Sequence, residues 1–143
     1  MLFELLAVFM VLATLCAVAV PLVAPVRRHV AAADAACRFA LVLRYVQAVA
    51  QAEQCRLRVR LTDGGAGYVV ERVEDAACVV QERSSFCGAR GSSNYPADAV
   101  DFGGSGWPLS QGTSTPRAGT FTFGSGSAVH SVVVQLTGRV KCR

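Results

Sequence analysis

The feature that most constrains this chain is an uncharged run of 22 residues near the N-terminus, from Leu5 to Val26. As an α-helix it would be about 33 Å long, enough to cross a hydrocarbon core of about 30 Å. A buried core helix fits poorly, because so short a chain has few other layers to surround it. A cleaved secretory signal also fits poorly, because the run is long and begins beside Glu4 rather than a basic residue. The run therefore predicts a membrane-spanning helix.

The composition agrees with such a division of the chain. The 143 residues are 52% hydrophobic and 17% charged, whereas soluble domains are roughly 25% charged. A net charge of +4 is too small to indicate a nucleic-acid partner by itself. The length supports one globular domain. We therefore expect residues 1–27 to form the membrane half of an N-terminal helix and residues 28–143 to form an extramembrane domain.

The helix is expected to continue into that domain. The segment from His29 to Gln54 contains no Gly or Pro, and its apolar residues recur at spacings of three and four. This pattern predicts a helix over 28–54 with one face packed on a sheet. The apolar stripe consists of Ala32, Ala36, Phe39, Leu43, Val46 and Ala50. A separate polar stripe consists of Arg44, Gln47, Gln51 and Gln54.

The remainder, 55–143, has the pattern of β-strands. Polar and apolar residues alternate over 55–62 and again over 68–74, with a glycine-rich turn between them, which predicts a hairpin. Further strands are expected at 78–81, 99–102, 120–123 and 131–136. Gly, Ser and Pro make up almost half of residues 84–127, so loops should dominate there. The expected class is α+β, with a long helix packed on an antiparallel sheet.

No set of residues indicates an enzyme, a metal site or a cofactor. His29 lies just beyond the apolar run and His130 just before the expected last strand, and neither has an evident partner in the sequence. Metal-binding and phosphate-binding motifs are absent, and the Gly-rich segment 103–106 lacks a strand-to-helix context. The prediction is a non-enzymatic protein without a cofactor.

The cysteines indicate an oxidising compartment. Cys37 and Cys55 would lie about 27 Å apart on one continuous helix, so they cannot form a disulfide with each other. Cys78 and Cys87 flank a short loop and form the best local pair. A bond between Cys55 and Cys142 is the alternative, since both lie at the ends of expected elements.

Glu4 raises a chemical question, because an ionised carboxylate at the edge of a membrane span is costly. It either reaches the interface or pairs with a cation of another subunit, such as a free α-amino group. The run Phe3-Glu4-Leu5-Leu6-Ala7-Val8 precedes an apolar helix, and Pro21 follows Glu4 by 17 residues. This arrangement resembles the N-terminal helix of type IV pilins and type II secretion pseudopilins.

The resemblance implies that Glu4 neutralises the N-terminal amine of a neighbouring subunit, and that apolar helices form a filament core. Pro21 would kink or loosen the helix, because it removes a backbone donor. The implied partners are other pseudopilins or minor pilins and the inner membrane, crossed once, with the C-terminal domain in the periplasm. A prepilin peptidase is implied if a leader exists upstream, as is methylation.

The N-terminus departs from that family, whose members carry a short basic leader. Only three residues precede Glu4, so we expect a precursor several residues longer. Arg27 and Arg28 alone favour a cytoplasmic C-terminal domain by the positive-inside rule. A basic leader would supply the charge that reverses this orientation.

The C-terminal part resembles the GspH and FimT group within that family. Segment 44–49 is similar to its Ala-Arg-x-Glu-Ala-Ile stretch, with Gln47 in place of the glutamate. A strand ending in phenylalanine and glycine at 120–124 precedes a last strand and a Gly-Arg pair, here Gly138-Arg139. The first hypothesis is a structural, GspH-like minor pseudopilin of a type II secretion-like or type IV pilus-like filament. An unrelated single-pass membrane protein with a β domain is a further alternative.

Two basic segments are candidate sites for an anionic partner. The FimT branch is associated with DNA binding through a Gly-Arg-x-Arg stretch, which implies Arg139, Lys141 and Arg143 as DNA-binding residues in a FimT-like minor pilin for DNA uptake. The second segment carries Arg56, Arg58 and Arg60 on one face of the first expected strand.

Overall fold

The computed structural model describes the chain except residues 1, 75 and 76 and the side chains at positions 2, 18–22 and 77. One helix, α1, runs from Leu2 to Glu53. It ends where Gln54 takes a left-handed backbone conformation with φ of 51°. The expected helix over 28–54 is thus the second half of one long helix.

Short strands follow the helix and pair in two antiparallel sheets. In chain order they are β1 (Leu57–Thr62), β2 (Gly67–Glu74), β3 (Ala77–Ser85), β4 (Arg90–Ser93), β5 (Ala99–Phe102), β6 (Pro108–Ser110), β7 (Gly119–Ser125), β8 (Ala128–Val134) and β9 (Val140–Cys142). The first sheet has the order β3-β2-β1-β5-β6, and the second has the order β4-β7-β8-β9. The expected α+β architecture is confirmed.

Phe39 lies at the centre of the core, where the second half of α1 meets both sheets. Its ring centroid is 4.8 Å from that of Phe121 and 5.2 Å from that of Phe123, both on β7. Tyr68 of β2 approaches the same ring at 5.8 Å. All six residues of the predicted apolar stripe are buried, because a spacing of three and four places them on one face of α1. A single helix face thus joins the two sheets.

The strand predictions hold where alternation is clear. Leu57, Val59 and Leu61 of β1 face the core. β5 has the expected bounds, whereas β8 begins earlier than expected, at Ala128, and therefore contains His130. The sequence did not indicate β4, β6 or β9, each of three or four residues. Such short segments carry too few residues to show a period of two.

Candidate assembly and binding surfaces

The first half of α1 is not covered by the rest of the chain. Every described side chain from Phe3 to Val30 is exposed, and Phe3 has 89% of its surface accessible. Burial begins at Ala32, where the sheets first meet the helix. Large apolar side chains are exposed along this half, among them Leu5, Leu6, Phe9, Met10, Leu15, Val23 and Val26. Apolar surface of this extent indicates contact with a partner or a membrane.

Glu4 lies in the first turn of α1 and is exposed. It is the sole charged residue between positions 1 and 26. The side chain of Pro21 lies outside the described residues, so the expected loosening of the helix there stays a prediction. Within the residues that the structure describes, no helix is long and apolar enough to cross a membrane.

The polar stripe of α1 binds backbone carbonyls of the β domain. Arg44 Nη2 donates to the carbonyl of Val140 on β9, at 2.9 Å. Gln47 Nε2 donates to the carbonyl of Gly106 at 2.7 Å, and Gln51 Nε2 donates to that of Ser105 at 3.4 Å. Gln54 Nε2 donates to the carbonyl of Gly104 at 3.3 Å. This polar face of α1 therefore positions the loop at 103–107 and the last strand.

Close approach along this face requires glycine at two positions. A Cβ on Gly106 would lie 1.8 Å from Gln51 Nε2, and one on Gly138 would lie 2.3 Å from Gln47 Nε2. Both glycines also have positive φ, of 75° and 82°. Gly106 and Gly138 therefore allow the backbone to pack closely against the glutamines of α1.

Of the three basic residues near the C-terminus, Lys141 lies on β9, and Arg139 and Arg143 flank it. Val140 is buried against the core, while Arg139 and Arg143 are exposed and Lys141 is half-buried. Alternation along the strand places the three cations on the side opposite Val140. No Asp or Glu occurs in the sequence after Asp101, so the segment that forms β6 to β9 carries no carboxylate side chain.

Arg58 and Arg60 of β1, and Arg56 directly before it, are engaged in ion pairs. Asp101 of β5 is fully buried and accepts a hydrogen bond from Arg56 Nε at 2.9 Å and from Arg58 Nε at 2.7 Å. Arg60 Nη2 lies 2.8 Å from Glu71 Oε1. The hydrogen bond to Asp101 raises the pKa of Arg58 and so favours its charged form. These contacts favour a structural role for the three arginines over anion binding.

The structure brings together two cysteines that the sequence did not pair. Cys78 Sγ is 3.6 Å from Arg58 Nη1, and the bond between Cys78 and Cys87 stays a prediction. Cys142 Sγ lies 3.5 Å from Cys37 Sγ, across 105 residues of sequence. The alternative partner considered for Cys142 was Cys55, which instead faces Glu53. Sequence spacing cannot reveal the Cys37–Cys142 contact, because the fold alone brings α1 and β9 together.

The two histidines also meet, contrary to the expectation that neither had a partner. His130 lies on β8 rather than in a loop, and its ring centroid is 4.7 Å from that of His29 on α1. Among the described residues, no group of three or more His, Cys, Asp or Glu is arranged to hold a metal ion. The two rings contact each other edge to face between α1 and β8.

No protein-family model and no curated protein sequence matches the chain. Solved structures do match. The type IV minor pilin FimU of Pseudomonas aeruginosa PAO1 aligns with a TM-score of 0.65 and 12% identity, over 77% of this chain and 86% of FimU. The minor pseudopilin EpsH from the Type 2 Secretion System of Vibrio cholerae aligns with a TM-score of 0.62 and 14% identity, over 78% of this chain and 95% of EpsH. The chain has a pilin-like fold.

The burial of side chains divides α1 at Ala32. The second half of α1 and the two sheets form the pilin-like domain, and the exposed first half of α1 extends from it. A second crystal form of FimU aligns with a TM-score of 0.63 and 13% identity, over 77% of this chain and 90% of FimU. The descriptions of these neighbours name a minor pilin and a minor pseudopilin.

Proposed function

We propose that this protein is a structural minor pseudopilin of the GspH type, which joins a type II secretion-like or type IV pilus-like filament through its N-terminal helix. The observation that carries the proposal is the exposed apolar half of α1, continuous with a pilin-like domain. Burying an apolar side chain of Leu or Phe size contributes about 1.5–3 kcal/mol. Packing this half against helices of other subunits therefore keeps its apolar surface out of water in the filament.

Before assembly the same surface needs an apolar environment, which a membrane supplies. We propose that residues 5–26 hold the subunit in the inner membrane as a single span, with the domain from residue 28 onward in the periplasm. A basic leader upstream, removed by a prepilin peptidase, would give this orientation despite Arg27 and Arg28.

Glu4 is the residue proposed to control assembly. An acidic side chain in the first turn of an apolar helix is well placed to pair with the α-amino group of a neighbouring subunit, and such a pair in an apolar environment is costly to break. The test uses the full-length chain with a C-terminal tag in its native cell. Glu4→Ala should remove the chain from the filament fraction that shearing or mild detergent releases from the envelope.

Two further variants make this test specific. Glu4→Asp keeps the charge and should retain part of the assembly, and Asp34→Ala removes an exposed carboxylate from the same helix and should assemble normally. Limited proteolysis should show an intact β domain in every variant. An unchanged amount of Glu4→Ala chain in the filament fraction would refute the role of Glu4.

A second candidate function is DNA capture by a FimT-like minor pilin. The observation that favours it is the shared face of Arg139, Lys141 and Arg143 in a segment without carboxylate side chains. Lysine keeps the charge for phosphate contacts but lacks the bidentate geometry of arginine. Three phosphate contacts predict a slope of log K against log salt of about −2.7 for duplex DNA.

Fluorescence anisotropy with the full-length chain in nonionic detergent tests this function. Changing all three residues to Ala should abolish salt-dependent binding, and Arg143→Ala alone should weaken it. The matched control is Arg83→Ala, which removes an exposed arginine from β3 in the other sheet. Equal loss of binding in Arg83→Ala and Arg143→Ala would show that only net charge matters and would exclude a site on β9.

A further inference from the structure

The sulfur atoms of Cys37 and Cys142 lie 3.5 Å apart, where the middle of α1 passes the last strand. A disulfide has a sulfur–sulfur length of about 2.05 Å, so the two atoms need to close by only about 1.5 Å. Rotation about a Cα–Cβ bond moves a sulfur atom by a distance of this order. Both residues are exposed, so an oxidant can reach them.

The positions of both cysteines are determined by contacts other than their own. Arg44 follows Cys37 by two helical turns, so it projects from the same side of α1, and its guanidinium binds the carbonyl of Val140. On the strand side, Cys142 pairs with Val132 and Val140 pairs with Val134 of β8. The helix contact and the sheet register thus place the two sulfurs together independently of any bond between them.

We propose that Cys37 and Cys142 form a disulfide that fastens the C-terminal strand to the helix. The oxidant is the disulfide form of a thiol–disulfide oxidoreductase. The thiolate of one cysteine attacks that disulfide and forms a mixed disulfide, and one sulfur of the oxidant leaves as a thiolate that takes up a proton. The thiolate of the second cysteine then displaces the remaining sulfur. The chain loses two protons and two electrons, and the oxidant is released as a dithiol.

Such a bond would act on a short edge strand of the second sheet. β9 has three residues and pairs with β8 alone in that sheet. A disulfide closing a loop of 105 residues restricts the unfolded chain strongly. It would also keep Arg139, Lys141 and Arg143 on one face, although the proposal holds whether or not those residues bind DNA.

Mass spectrometry of the full-length chain tests the proposal. The protein is exported to an oxidising compartment and purified in detergent without reductant. It is then treated with N-ethylmaleimide, which blocks free thiols, and digested with a protease. The expected result is a cross-linked pair of peptides that contain Cys37 and Cys142, which disappears after reduction. N-ethylmaleimide on Cys142 of the unreduced protein, or a link from Cys142 to Cys55, would overturn the proposal.

Thermal unfolding supplies a second measurement. Reduction should lower the Tm of the wild-type chain by on the order of 10 °C. The variant Cys37→Ser/Cys142→Ser should show no change in Tm on reduction. Reduction should lower the Tm of the matched control, Cys78→Ser/Cys87→Ser, by as much as it lowers that of the wild type. If reduction lowers the Tm of Cys37→Ser/Cys142→Ser but not that of Cys78→Ser/Cys87→Ser, the bond lies between Cys78 and Cys87 instead, and the proposal is wrong.

Discussion

Arg44 on α1 donates a 2.9 Å hydrogen bond to the backbone carbonyl of Val140 on β9. This contact joins residues separated by 96 positions in the sequence. It holds the helix, through a charged donor, to the strand that carries the basic face of Arg139, Lys141 and Arg143. A side chain of the N-terminal helix thus helps to hold the C-terminal strand in place.

Removal of this donor should loosen β9. We expect Arg44→Ala to lower the free energy of unfolding by about 1.5–3 kcal/mol, because a hydrogen bond from a charged group is lost. Hydrogen exchange should accelerate most at Val140, Lys141 and Cys142. Arg83→Ala, an exposed change on β3, should leave both measurements near the wild-type values, and equal effects of the two variants would contradict this role of Arg44.

The buried carboxylate of Asp101 should contribute far more to the free energy of unfolding than an exposed carboxylate. Asp101→Ala leaves Arg58, whose side chain is 12% exposed, without its partner, so we expect a loss of about 3–5 kcal/mol in urea denaturation. Asp101→Asn keeps an acceptor and should lose less. The control is Asp34→Ala, which breaks an exposed pair with Arg38 and should cost less than about 1 kcal/mol.

Alanine variants of Gly106 and Gly112 should distinguish the cost of backbone strain from the cost of a steric overlap. Both have positive φ, but a Cβ on Gly112 would meet open space, whereas one on Gly106 would overlap Gln51. Gly112→Ala should therefore cost about 1–2 kcal/mol from the backbone alone, and Gly106→Ala should cost more. The double variant Gly106→Ala/Gln51→Ala should recover the difference in thermal unfolding, because the overlapping atoms belong to a flexible side chain. No recovery would place the strain in the backbone of the loop.

The thiol of Cys142 should make the reduced protein sensitive to alkaline pH. Burial and the hydrogen bond with Cys37 raise the pKa of Cys142. The protonated thiol of Cys142 contributes fully to the stability of the folded state below the ordinary pKa of a thiol. This contribution is lost as the pH rises through the pKa of Cys142 in the folded chain, because the thiol of the unfolded chain loses its proton at lower pH. The rate of iodoacetamide alkylation at Cys142, measured against pH, should rise at higher pH in the folded reduced chain than in urea. Coincident profiles would contradict this shift.

The sequence predicted the elements whose patterns are local. Six apolar residues at helical spacing identified the buried face of α1, and alternation in β1 separated Leu57, Val59 and Leu61 from the three arginines. The apolar run and Glu4 indicated a helix of the pilin type. These features can be read from sequence because neighbours within one helix or strand determine them.

The partners of polar side chains could not be predicted in the same way. Arg56, Arg58 and Arg60 form a basic face in the sequence, yet Asp101, more than 40 residues away, pairs with Arg56 and Arg58. Cys142 meets Cys37 rather than Cys55, and His130 meets His29. The sequence by itself determined the helix, its apolar half and the alternating strands, because these depend on the spacing of residues along the chain. Tertiary structure alone decided which charges are neutralised and which thiols meet, because those contacts depend on how the two sheets pack against one helix.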